Sequence, residues 1–172
     1  KLLLLFLIVT AAALMSCGST PDGRGPLDLS DGVDSLTLQI SESLQPAAKQ
    51  RIAVMAFTDL EGYYTRLGDF IAEELTTKLF LTRKFDVIER RLIEKIFEEQ
   101  KLQYQGIMDE STAKDIGKLL NADAICTGTI TPIDSNLKIN ARVISAGSGL
   151  LLAAASVTVA DGSKEAGGSD LS

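Results

Sequence analysis

Histidine is absent from the 172 residues, which removes Ser-His-Asp and Cys-His nucleophile chemistry, His-ligated zinc and the usual general base at neutral pH. Carboxylate or lysine mechanisms are what remain open to an enzyme built from this chain. Cysteine is scarce, with Cys17 and Cys126 as the two. Basic residues are in deficit, 17 against 23 acids for a net charge of −6, so a phosphate backbone is a poor partner and no nucleic-acid binding is expected. The glycines offer no phosphate cradle, because Gly62 and Gly68 are followed by no Gly-Lys-Ser/Thr. The apolar run over residues 2 to 14 is too short to span a bilayer as a stable helix.

That run carries the first positive information. Lys1 ahead of it and the small Ser16 before Cys17 complete the pattern of an export signal over residues 1–16. Residues 17–30 hold turn formers and breakers without an apolar period and read as a flexible tether. Residues 31–160 read as a single α/β domain and 161–172 as a disordered tail. Within the domain, Val33, Leu36, Ile40 and Leu44 recur at helical spacing from Ser30 or Asp31 until Pro46 ends the helix. Residues 51–57 form a compact apolar run, the mark of a central strand. Leu67, Ile71, Leu75 and Leu79 make a helical stripe with Thr65 placed to cap it. A short strand follows over 85–88, then a helix over 90–102 that buries Leu92, Ile93, Ile96 and Phe97, its charges mostly facing water and Lys95 spaced to pair with Glu99. Asp109, Glu110 and Ser111 cap a helix burying Ala113, Ile116, Gly117 and Leu120, which Asn121 closes. A strand over 124–130 turns at 132–136 into a fourth, where Leu137, Ile139, Ala141 and Val143 alternate with Lys138, Asn140 and Arg142. A hairpin over 146–149 leads to a fifth strand over 150–159. The order β-α-β-α-α-β-β-β implies a mixed sheet with helices on its faces.

Leu14-Met15-Ser16-Cys17 resembles the lipobox of bacterial lipoproteins, which implies acylation of Cys17 and a membrane anchor through that lipid. Gly18 after the cysteine, rather than Asp, resembles the outer-membrane sorting rule of such lipoproteins and implies a domain facing the periplasm. With Cys17 so used, Cys126 has no partner, and stability must come from the core. Inside Ala122-Asp123-Ala124-Ile125-Cys126 it reads as a small buried apolar residue.

Val87-Ile88-Glu89-Arg90, Glu98-Glu99-Gln100-Lys101-Leu102, Gly106, Ser111-Thr112-Ala113, Ile116-Gly117-Lys118-Leu119-Leu120, Ala122-Asp123-Ala124 and Gly128 together resemble the curli-secretion (CsgG-type) lipoproteins. The opening helix, residues 51–59, Leu67-Gly68 with Ala72-Glu73-Glu74-Leu75, and Ile139-Asn140-Ala141-Arg142-Val143-Ile144 leading through Gly149 to Ala153 also resemble the flagellar outer-membrane (FlgO-type) lipoproteins. The resemblance implies the fold of the TolB amino-terminal domain, related to the anticodon-binding domain of class II tRNA synthetases: a three-layer α/β/α arrangement around a five-stranded mixed sheet. It implies a non-enzymatic assembly or interaction module for an envelope machine, in secretion or at the flagellum, with envelope proteins as partners and homo-oligomers expected. Two further roles accompany the fold, a pore-forming curli-type subunit and a lipoprotein activator of peptidoglycan synthases. The long inserted hairpins of the curli channel have no room here, and the last hairpin is needed to complete the sheet.

No catalytic set, cofactor site or metal site is expected. Asp59 and Glu61 lie past the carboxyl end of the first strand, where open α/β sheets place ligands, yet no third group is placed beside them. Tyr63 and Tyr64 read as a contact surface, since tyrosine joins apolar area to a polar tip. Lys138 and Arg142, on the wet side of the fourth strand, read as a second one. In a head-to-tail ring the two would serve as the different surfaces that each protomer must present.

Overall fold

Asp28 starts the first helix. Its side chain accepts the Asp31 N–H at 2.8 Å, satisfying an orphan donor of α1 (Leu29–Ser43), whose buried Val33, Leu36 and Ile40 repeat at three and four residues. The computed structural model describes residues 26–44, 49–99 and 110–162. The helix expected from Ser30 or Asp31 thus begins at Leu29, and Leu27, within the span expected as tether, bridges Val159. The leader, Cys17, Pro46, the 100–109 connection and the tail beyond residue 162 lie outside the described residues.

After α1 come β1 (Gln50–Val54), α2 (Arg66–Leu81), β2 (Phe85–Val87), α3 (Arg90–Glu99), α4 (Glu110–Leu120), β3 (Ala124–Ile133), β4 (Asn136–Ser145) and β5 (Leu151–Ala160). The strands form one sheet in the order β2-β1-β3-β4-β5. β1 runs parallel to both of its neighbours, while β3, β4 and β5 are antiparallel. This is the α/β architecture anticipated from the element order, and the final hairpin supplies two of its five strands.

Alternation along the strands divides the core in two. On one face α1 packs on β5 and α2 on β1 and β2, joining Leu36, Ile40, Ile71, Leu75 and Leu79 to Ile52, Val54, Phe57 and Cys126. Thr65 caps α2 as expected, accepting the Gly68 N–H at 2.9 Å. On the other face Ala53, Met55, Ile125 and Ile144 meet Ile93, Ile116 and Leu120 from α3 and α4. Leu92 was expected in this core and is instead 50% exposed. Ile93, Ile96 and Phe97 at i, i+3 and i+4 define the face of α3 turned to the sheet, and Leu92 lies on its flank.

Pro132, expected in a turn, lies within β3, and the turn is Asp134-Ser135. The Ile130 N–H donates to Thr58 O at 2.8 Å, so the nitrogen of Pro132, two residues on, faces the same side of β3 after β1 has ended. No ladder donor is lost there, which is why proline is tolerated. Cys126 is fully buried without a disulfide, and desolvation pushes its thiol up to about 12.

Candidate contact surface

Helix packing on the second face reaches β1, β3 and β4. The far part of that face carries a grid of polar and small side chains set by register. Thr127, Arg142 and Ala154 form one row, Thr129, Asn140 and Ser156 the next, and Thr131, Lys138 and Thr158 the third. Their neighbours Ile139, Ala141, Val143, Ala155 and Val157 point into the main core, so the grid points away from it. Arg142, Ala154 and Thr158 are exposed, while Lys138, Asn140 and Ser156 are half-buried.

The β1–α2 loop extends this face. Asp59 accepts the Tyr63 N–H through Oδ1 at 2.8 Å and donates its own N–H to Tyr63 O at 3.1 Å. Gly62 closes the loop at φ 89°, a conformation that costs glycine little. Asp59 is thereby a loop-closing residue, and Glu61 beside it is exposed. Among the described residues no group of three His, Cys, Asp or Glu side chains is placed to hold a metal. Tyr63 is left 71% exposed and Tyr64 48% exposed.

Thr58 joins the loop to the grid. It bridges Tyr64 on one side and Thr129 on the other, and its N–H donates to Gly128 O at 3.1 Å. The middle row therefore runs Tyr64, Thr58, Thr129, Asn140, Ser156. At roughly 4.8 Å per strand, the Tyr64 backbone stands about 14 Å from that of Asn140. Through these bridges the row of Tyr64 passes between those of Arg142 and Lys138 in β4. Neither Lys138 nor Arg142 makes an ion pair among the described residues.

The charges of α3 were expected to face water, and Arg90 departs from that. Its side chain is 12% exposed and bonds Asp69 at 3.2 Å, Glu73 at 3.4 Å and Glu94 at 3.4 Å, tying α2 to α3. Glu89 accepts the Leu92 N–H at 3.1 Å in the first turn of the same helix. Asp123 Oδ2 accepts the Arg51 N–H at 2.8 Å, and its own N–H returns to Arg51 O at 2.8 Å, which fixes the start of β3 against β1. The Glu89-Arg90 and Ala122-Asp123-Ala124 blocks are thus structural joints. Gln39 of α1 is the residue that sequence reasoning missed at the surface: its amide accepts from Ser156 N–H at 3.1 Å and donates to Ser156 O at 3.3 Å. No periodicity marks such a pairing, because it joins residues 117 apart. A cavity of about 350 Å³ opens beside it, lined by Gln39, Asn140, Arg142, Ala154 and Ser156.

Solved structures share the fold. The LpoB C-terminal domain from Salmonella enterica aligns with a TM-score of 0.62 at 13% identity, over 76% of this chain and 97% of that one. The LpoB C-terminal domain from Escherichia coli gives 0.59 at 14% identity, over 74% and 97%. The NMR structure of E. coli LpoB gives 0.61 at 12% identity, over 83% and 74%. Identities this low speak to the fold alone. No curated protein matches the chain in sequence. The family described as "Curli production assembly/transport component CsgG" matches residues 34–160. That match runs from within α1 to the last residue of β5 and takes in every strand, and the protein belongs to the CsgG family.

Proposed function

We propose that the protein is a non-enzymatic outer-membrane lipoprotein, anchored through Cys17, whose domain faces the periplasm and serves an envelope machine as a protein-contact module. The observation that carries this reading is the open half of the second sheet face, where the row through exposed Tyr64 runs between those of Arg142 and Lys138, two cations without ion pairs among the described residues. Tyrosine and arginine are the residue types that interfaces concentrate. The acids that sequence reasoning weighed for chemistry support the same reading, since Asp59 is used to close its loop. The pore reading has less support: β4 and β5 are sheet strands whose alternate residues are buried in the main core, with α1 packed on β5. Machines of secretion or the flagellum, or a peptidoglycan synthase, are the partners the family resemblance names.

Affinity capture after crosslinking in the native envelope tests the module. A defined envelope protein should be recovered with the wild type. Isolation without a specific neighbour, together with turnover of an envelope substrate that Asp59→Asn abolishes, would overturn the reading in favour of an enzyme. The anchor has its own test. Each buried methylene of an acyl chain contributes about 0.8 kcal/mol, so two or more chains on Cys17 make membrane residence stable. Cys17→Ser should move the protein to the soluble fraction, and identical fractionation of both forms would contradict lipidation.

A further inference from the structure

β5 lies at the edge of the sheet, and its outer edge is guarded along part of its length. Leu27 guards the end: its N–H donates to Thr158 O at 3.3 Å and its C=O accepts the Ala160 N–H at 2.8 Å. Gln39 guards the middle, where its side-chain amide bonds both backbone groups of Ser156 in the way a neighbouring strand would. The backbone groups of Ser156, Thr158 and Ala160 thus point outward, and by strand alternation those of Ala154 do too. Ala154 has no partner on that side among the described residues. Its open edge adjoins the cavity bounded by Gln39 and Arg142, and exposed Leu150, Leu151 and Leu152 precede it in the chain.

Unpaired strand edges recruit further strands, and the row through Ala154 says what such a strand carries. Arg142 faces Ala154 in register, and the alanine is too short to screen it. A residue added beyond Ala154 in that row lies two strand spacings, roughly 10 Å, from the Arg142 backbone, a gap that an arginine and a glutamate side chain close between them. The apolar run before Ala154 favours apolar residues flanking that acid.

We propose that the outer edge of β5 at Ala154 is a strand-addition site for an extended segment of a partner protein, apolar with one acidic residue that pairs with Arg142. The inference rests on the reading of this domain as a contact module and names the way contact is made. The test uses the full lipidated chain in detergent micelles, labelled for NMR, with three blocked peptides: Thr-Val-Glu-Val-Thr, its Lys-for-Glu counterpart, and the Glu peptide N-methylated at alternate residues. The Glu peptide should slow exchange of the Ala154 amide and bind about fivefold more tightly than the Lys peptide, a ratio set by one exposed ion pair. N-methylation should abolish the protection, and Arg142→Glu should reverse the charge preference. Ala154→Pro removes the outward N–H without taking a bond from the β4 ladder, so it should lose peptide binding while keeping its fold by circular dichroism. Equal binding of the Glu and Lys peptides, an unprotected Ala154 amide at millimolar peptide, or protection produced by raising protein concentration alone would each overturn the inference. If envelope capture still recovers a partner from Ala154→Pro, strand addition fails while the contact-module reading stands.

Discussion

Cys126 and Arg90 mark the limits of reading single residues. Cys126 sits in an apolar block, so burial was legible locally, and the structure confirms it as a free, buried thiol. Its folded-state value of about 12 lies above the ordinary 9.0. From pH 9 upward the unfolded chain therefore releases a proton that the folded chain keeps, and stability is lost as pH rises. The slope is about 1.4 kcal/mol per pH unit until the folded thiol itself ionises. Denaturant melts at pH 8, 10 and 11 should show wild type losing stability faster than Cys126→Ala across that window, and parallel losses would contradict the assignment. Arg90 was less legible. Its i, i+4 partner Glu94 is visible in the sequence, but Asp69 and Glu73 come from α2, and only the packing of two helices brings them within 3.4 Å. The exposed Lys95–Glu99 pair, which spacing alone foretold, forms at 3.8 Å and contributes a few tenths of a kcal/mol at most.

The helices and strands were legible wherever a buried period ran long enough. The stripes of α1 and α2 and the alternation of β4 appear as expected because each buries one side against the sheet. Leu92 and Pro132 were misplaced for one shared reason: their placement depends on what lies beside the element, the turn of α3 against the sheet and the end of β1 beside β3. Gly68 shows the same dependence in the first turn of α2. Helix propensity alone says that Gly68→Ala should stabilise by about 1 kcal/mol. A Cβ there, however, would collide with the backbone carbonyl of Phe57, whose N–H is bonded to Gly68 O at 3.3 Å. The backbone cannot step aside without disturbing the segment that follows β1 and bonds β3 through Thr58, so the collision outweighs propensity. Gly68→Ala should cost about 1–3 kcal/mol by urea melt, and a rise in stability would show that α2 does not approach the strand so closely.

At the scale of the whole molecule the sheet is covered unevenly, and that asymmetry carries the functional reading. α1 and α2 span one face, while α3 and α4 pack over β1 and the adjoining parts of β3 and β4. The sequence named Tyr63, Tyr64, Lys138 and Arg142 from residue type, but it could not set Tyr64 beside the rows of Lys138 and Arg142. Their adjacency rests on two isolated bridges of Thr58, to residues on either side of it in the sheet. Site-specific photocrosslinking in the native envelope tests the central claim most directly, with the photoreactive residue placed at Tyr64, at Arg142 or at Leu38, an exposed position on the opposite face. The account expects one defined partner adduct from Tyr64 and Arg142 and none from Leu38. Adducts from Leu38 alone, or equally from all three positions, would contradict it.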